Sequence, residues 1–460
     1  MTIDYRLHKS ILKIAVPSIL ANITIPLVGL VDMVIAGHLA SAWAIGGIAV
    51  GTMLFDMLYG CFGFLRVSTA GLTAQAYGAG QPQECGRLLV KSAWVAIAGA
   101  MLIWLLQTVY LNAVLYVMPC SDEVAQFARA YFNIRVWAAP ATLMIMTCKG
   151  WFIGMQDGVR AMVTDLVVNG VNMLASYLLA VHTPLGVNGV AWGTLIAQWT
   201  GLIVALAMIA LRYAKHFSLL SLRETVFSLL SNNSRFVRLN ADLFVRSLCF
   251  IVVYVGWTVI SSSHGDVELA ASSLMMKLFM FFSFFIDGFA YAGEALVGKS
   301  IGEQQSAVSN RPSTFHFPLS TIIRSLFAWG TGMALLFSLL YALFPDALFR
   351  SMTTDLDVVV TMRHYLGWLI LMPLVSMLAF MWDGIFAGAT QGKAIRNAML
   401  WASAAFAAIY FLLLTIDSQL STAIGMQAVY AAYFAHLLAR VIYLTCRYPA
   451  LRSSIGDLQR

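Results

Sequence analysis

Residues 23–32 read Ile23-Thr24-Ile25-Pro26-Leu27-Val28-Gly29-Leu30-Val31-Asp32, an apolar run interrupted by one proline and closed by one carboxylate. In a water-soluble domain this would be the buried end of a helix. The composition around it places it in a lipid bilayer instead: of 460 residues 60% are hydrophobic and 11% charged, against about 25% charged in soluble domains. An ionisable side chain inside hydrocarbon is costly, so Asp32 marks a candidate functional site from the outset.

A helix crosses the hydrocarbon core with roughly 20 apolar residues, and about twelve such stretches fill the chain. They lie at 11–36, 43–69, 88–117, 130–154, 160–182, 186–212, 236–260, 268–298, 320–345, 360–388, 396–416 and 421–447. Several exceed the minimum, which predicts tilt, kinks or extension beyond the bilayer. The first run is too long for a cleavable signal peptide and lacks a small-residue cleavage site, so it is expected to stay as the first span. Cys61, Cys85, Cys120, Cys148, Cys249 and Cys446 are scattered, with neither a paired motif nor metal-ligand spacing.

A net charge of +7 raises the question of nucleic acid, but the basic residues fall in alternate loops. Arg6, Lys9 and Lys13 precede the first span, Arg87 and Lys91 follow the second, Arg160 follows the fourth, and Arg212, Lys215, Arg223, Arg235 and Arg238 surround the central connection. Lys299, Arg311 and Arg324 follow the eighth, Lys393 and Arg396 the tenth, and Arg440, Arg447, Arg452 and Arg460 the last. By the positive-inside rule both termini face the cytoplasm of a bacterial inner membrane. The basic excess reports topology, and no nucleic-acid partner is expected.

The second half answers the first. Leu72-Thr73-Ala74-Gln75-Ala76-Tyr77-Gly78 matches Leu296-Val297-Gly298-Lys299-Ser300-Ile301-Gly302 at an offset of 224 residues, whereas Gly150-Trp151-Phe152-Ile153-Gly154 matches Gly384-Ile385-Phe386-Ala387-Gly388, and Tyr131 matches Tyr365, at an offset of 234. The additional residues fit the connection around Arg311-Pro312-Ser313-Thr314. The expected fold is an all-α integral membrane protein, with twelve transmembrane helices in two pseudo-symmetric six-helix lobes around a central cleft. The lobes are placed at 1–227 and 228–460, with a linker at about 213–235 that includes Ser231-Asn232-Asn233-Ser234. Gly47 with Gly51, Gly150 with Gly154 and Gly384 with Gly388 are small-residue pairs suited to close helix packing.

Asp32 sits about 6 Å inside the outer end of its span. On the fifth span Asn169, Asn172 and Ser176 recur at i, i+3 and i+7 and share a face. Asn172 and Ser176 lie about 15 and 9 Å deep, and Thr194 of the sixth span about 9 Å. These groups are expected to form one polar pocket around Asp32, and no basic residue of the same lobe is expected at its depth. A carboxylate left without a cation in a poorly solvated site favours its neutral form, which makes Asp32 a proton switch. The alternative is a carboxylate that accepts hydrogen bonds and fixes packing. Pro26 cannot donate its backbone bond and marks a helix kink.

Further charges inside spans are Asp56, Arg66, Arg135, Lys149, Lys277, Asp287, Glu294 and Asp383. Arg66, Lys149 and Glu294 lie toward the cytoplasmic ends and are expected to snorkel or to pair across the lobe interface. Asp287 and Asp383 lie deeper and are C-lobe candidates for cation or substrate contact. Met275, Met276, Phe279 and Met280 belong to a Met/Phe run that could line a pocket for flat apolar molecules or simply face lipid. The chain has no H-E-x-x-H, no G-x-x-x-x-G-K-[ST] and no G-x-S-x-G. It is therefore read as a non-enzyme without cofactor, and any pumping runs on an ion gradient.

These residues resemble the multidrug and toxic compound extrusion family, in its DNA-damage-inducible branch. The resemblance rests on Ile25–Asp32 with Gly37-His38-Leu39, on Phe64–Gly78, on Asp287-Gly288-Phe289-Ala290-Tyr291-Ala292 with Glu294-Ala295, and on Asp383–Thr390 with Arg396-Asn397. It implies twelve helices in two bundles and export of cationic or amphipathic organic compounds in exchange for protons or sodium ions, by a monomer that needs no partner beyond substrate and lipid. It also implies protonation at the position of Asp32 and bending at that of Pro26. The family carries an aspartate four residues after the asparagine matched by Asn172; here the position is Ser176. The sodium-coupled branch of the NorM type uses a seventh-span glutamate, and the region around Cys249 has none. Proton coupling through Asp32 is therefore favoured over a weak sodium site at Asp32, Asn172 and Thr194, and Ser176→Asp is expected to raise sodium sensitivity. A rival within the superfamily is a lipid or lipid-linked oligosaccharide flippase, which would line its cleft with cations such as Arg66, Arg135 and Lys277. A channel would need a continuous polar stripe, and none is present.

Overall fold

The computed structural model describes residues 5–39, 42–117, 121–186, 188–217, 234–307, 317–420 and 425–456. Its helices are α1 (Tyr5–Leu39), α2 (Ala42–Gly60), α3 (Phe64–Gly78), α4 (Pro82–Val117), α5 (Asp122–Arg135), α6 (Ala139–Gly154), α7 (Gly158–His182) and α8 (Asn188–Tyr213). There follow α9 (Ser234–Ser262), α10 (Asp266–Ala307), α11 (Leu319–Leu343), α12 (Pro345–Met352), α13 (Leu356–His364), α14 (Leu366–Gly388), α15 (Gly392–Leu420) and α16 (Gln427–Gly456). Among the described residues, 12 spans are long and apolar enough to cross a membrane, by length and composition. Helix α1 starts at Tyr5 rather than 11, because Arg6, Lys9 and Lys13 are good helix formers that carry it past the apolar run.

Two expected spans are composite. The second comprises α2 and α3, divided at Cys61–Gly63. There the ladder tightens to Phe62 N–H on Tyr59 O (2.9 Å), Gly63 N–H on Gly60 O (3.2 Å) and Leu65 N–H on Phe62 O (3.0 Å). Gly60 and Gly63 flank the break, and glycine is a poor helix former. The fourth comprises α5, a 3₁₀ turn at Val136–Ala138, and α6. Pro140 lacks the N–H that would bond Val136 O. That carbonyl instead accepts from Trp104 Nε1 at 3.1 Å.

The chain separates into two compact units, Val16–Val237 and, together, Met1–Ala15 and Arg238–Arg460. Residues 1–15 thus fall with the second unit rather than with 16–227. Most of the segment read as a linker, and the Arg311–Thr314 connection, lie outside the described residues. In the N-terminal unit α7 packs on α8, α3 on α6 and α2 on α5. Gly47 faces the Phe127 ring and Gly51 the Tyr131 ring, while Phe55 stacks on Phe132 with centroids 4.9 Å apart. In the C-terminal unit α10 and α11 pack on α14, and α15 on α16. Trp329 Nε1 donates to His8 Nδ1 at 3.0 Å.

The internal repeat is visible as a shared helix contact. Gly150 of α6 faces the Arg66 carbonyl of α3, and Gly384 of α14 faces the Ala290 carbonyl of α10. One turn on, a Cβ on Gly154 would lie 2.7 Å from Ala70 O and 3.0 Å from Ala74 N, and one on Gly388 would meet Glu294 O and lie 3.0 Å from Gly298 N. The two contacts reproduce the offsets of 224 and 234 found in the sequence. Backbone meets backbone here, so no rotamer change can make room. Gly150→Ala and Gly384→Ala should each cost roughly 1–3 kcal/mol of stability. Gly170→Ala and Gly332→Ala, at positions open within 4 Å, should be neutral or slightly stabilising. Thermal unfolding of the detergent-solubilised variants separates the two groups.

Candidate functional site

On α7 Asn172 and Ser176 lie one turn apart, and Thr194 faces them from α8; all three are buried. Ser176 Oγ donates to Asn172 Oδ1 at 2.9 Å, and Thr194 Oγ1 reaches the same oxygen at 3.4 Å and Val190 O at 3.1 Å. The amide oxygen thus accepts from two hydroxyls, and a carbonyl oxygen has two lone pairs. That leaves the amide oxygen as a poor cation ligand. Ser176 is 0% exposed and lies against Gly193. A Ser176→Asp side chain has no room there, so the sodium response expected of it gives way to overpacking.

Asn169 turns elsewhere. Its Nδ2 donates to Thr24 Oγ1 of α1, and Thr24 in turn donates to Ala21 O at 2.6 Å. Two turns beyond Thr24, past Pro26 inside α1, Asp32 is 8% exposed. Its Oδ1 has no hydrogen-bond partner among the described residues. The polar groups predicted around Asp32 therefore divide into an Asn172–Ser176–Thr194 cluster and an Asn169–Thr24 link, with Asp32 bonded to neither.

A basic group does act on Asp32. The charge of Arg135, from the end of α5, bears on Asp32 and on Asp56 of α2. This corrects the expectation that no cation shares its depth. Arg135 lies five residues into the expected fourth span, hence about 7.5 Å deep. The signal was present in the count. Its guanidinium lies over the Phe55 ring at 4.7 Å and donates to Tyr131 OH at 3.1 Å.

In the C-terminal unit Asp383 sits between two arginines. Arg440 donates through Nε to Oδ1 (3.0 Å) and through its terminal nitrogen to Oδ2, and Arg246 donates to Oδ2 at 2.9 Å. Arg440, counted from sequence among the cytoplasmic cations, is 4% exposed within α16. Both oxygens of Asp383 are occupied, so a cation reaching it would have to displace guanidinium. Arg396 is paired with Asp242 at 2.6 Å. Lys149 does not reach across the lobes but pairs with Asp165 of α7 at 2.7 Å.

Asp287 is partly buried on α10. Met275, Met276 and Phe279 are buried, with the Phe279 ring 5.9 Å from that of Tyr433, whereas Met280 is exposed. Three of the four substrate-lining candidates thus pack inside their own unit. No group of three or more His, Cys, Asp or Glu that could hold a metal ion occurs among the described residues.

Comparison with known proteins places this geometry in a family. The MatE family model matches residues 17–178 and 243–413. The chain is 33% identical over 404 residues to DNA damage-inducible protein F of Escherichia coli (strain K12), covering 87% of this chain and 84% of that protein. It is 25% identical over 354 residues to multidrug and toxin extrusion protein 1 of Homo sapiens, covering 76% of this chain and 59% of that one. An outward-facing structure of a multidrug resistance MATE family transporter of the MOP superfamily superposes with a TM-score of 0.82 at 15% identity, covering 98% of this chain and 97% of that one. A MOP superfamily transporter from Pyrococcus furiosus Vc1 (DSM3638), described as having a binding pocket of reverse polarity, gives 0.80 at 16%, covering 99% and 97%. On the matched residues and the twelve spans, the chain belongs to the MatE family of multi-pass membrane transporters and is not an enzyme.

Proposed function

We propose that the protein is a proton-coupled multidrug exporter that moves cationic or amphipathic organic compounds outward by alternating access, with Asp32 as the group that binds and releases the proton. One observation carries the choice of ion: Asp32 is buried with an unbonded Oδ1, while the neighbouring amide oxygen of Asn172 is taken by Ser176 and Thr194. A sodium ion needs several converging oxygens, and a proton needs one. Pro26, six residues before Asp32, removes a backbone bond from the same helix and provides a place for α1 to bend. The substrate class follows the names of the relatives, one of which is a multidrug and toxin extrusion protein. The monomer is the working unit, in a bacterial inner membrane with both termini on the cytoplasmic side, as the loop charges suggest.

On this reading the Arg246–Asp383–Arg440 cluster is structural. Removing the carboxylate would leave two guanidinium groups facing each other in a poorly solvated interior.

Efflux of a fluorescent cationic dye from vesicles tests the coupling. An imposed proton gradient should drive efflux in the wild type, a sodium gradient should not, and Asp32→Asn should fall to the rate of protein-free vesicles while folding normally. Wild-type efflux in Asp32→Asn would overturn the proposal. Asp383→Asn should instead lower stability by roughly 3–5 kcal/mol, read by thermal unfolding of the purified protein.

A further inference from the structure

Charge does not balance around the end of α5. Arg135 lies over the Phe55 ring at 4.7 Å and gives its hydrogen bond to the Tyr131 phenol at 3.1 Å, not to a carboxylate. Asp56 follows Phe55 on α2, and Asp32 comes in from α1. The guanidinium and both carboxylates act on one another. The other titratable groups facing this set are phenols: Tyr59 of α2, Tyr131 of α5, and Tyr110 of α4, whose hydroxyl donates to Leu54 O at 2.6 Å. Phenols stay neutral at working pH, and an arginine keeps its charge. Two carboxylates and one guanidinium therefore carry one net negative charge when no proton is bound, and none when one is.

The two carboxylates differ in access. Asp32 is 8% exposed with an unpartnered oxygen aimed into the protein, whereas Asp56 is exposed at the surface of the unit. An unbalanced charge is costly at the first and tolerable at the second.

We propose that Arg135 is a movable counter-ion shared by Asp32 and Asp56, and that Asp56 is thereby the second carboxylate of the coupling site. With the proton on Asp32, Arg135 pairs with Asp56. When the Asp32 O–H gives its proton to water, Arg135 pairs with the Asp32 carboxylate. The net negative charge then rests on Asp56, where water solvates it. One proton is exchanged per cycle, no other bond is made or broken, and the buried acid never stands ionised alone. Arg135 and Asp56 are positioning residues that act through Asp32. The inference rests on Asp32 being the proton carrier proposed above.

The test is the pH profile of proton-driven ethidium efflux from proteoliposomes. Asp56→Asn leaves Arg135 wholly to Asp32, which favours its charged form, so the midpoint should move to lower pH by about one unit or more. Arg135→Gln leaves two like charges and no cation, so the midpoint should move to higher pH by a similar amount. The double variant should fall between the two, and Arg135→Lys should stay near wild type. The carboxylic C=O stretch of Asp32, followed by infrared titration of the same purified proteins, should shift in the same directions, a readout that survives loss of transport. Absence of both shifts, or shifts of one sign, would overturn the shared counter-ion while leaving Asp32 as the carrier if Asp32→Asn is still inactive. Retained coupling in Asp32→Asn would instead remove the carrier itself.

Discussion

An ion inside a bilayer has to be met by its opposite or neutralised by a proton, and the arrangement of ionisable groups in this protein follows from that cost. Asp383 is met twice, by Arg246 and Arg440; Asp242 is met by Arg396, and Lys149 by Asp165. Each bridge joins different helices, so each also sets their mutual rotation. Asp32 is the exception, a buried acid whose Oδ1 accepts nothing. The pressure that locks the paired groups makes this one the group able to change state.

The backbone obeys the same constraint. Every interruption of a helix ladder in a membrane span exposes carbonyls that lipid cannot satisfy. Val136 O, released by Pro140, is taken by Trp104, and Ile370 O in α14 accepts from Ser338 at 2.8 Å. The breaks are thus pinned by side chains on neighbouring helices. Around Asn172 the same economy of donors orients an amide so that its acceptor is consumed, which bears directly on the ion the site can hold.

The spans were legible because length and hydropathy are properties of a single segment. The Asn172–Ser176–Thr194 cluster was legible for a related reason: helical spacing and depth are both counted along the chain. Rotation of a helix about its axis is not. That is why Asn169, on the same predicted face, turned out to bond Thr24 instead, and why Arg246 and Arg440 were not seen to converge on Asp383. Arg135 was countable to the right depth, but its direction depends on the 3₁₀ turn that follows it, which breaks the helix just where the side chain leaves it. Lys149 and Asp165 could have been paired from sequence, since they flank the short turn between α6 and α7.

The repeat also says something about what can vary. The glycine-to-carbonyl contact of α6 on α3 recurs in α14 on α10 with the same partners one turn apart, although the second copy has additional residues between the two helices. Chain length in the connections and identity at the contact have therefore been under separate selection since the two halves diverged. Insertions between these helices can accumulate as neutral drift, whereas the glycines are held fixed by their neighbour's backbone, which no side-chain substitution elsewhere can compensate.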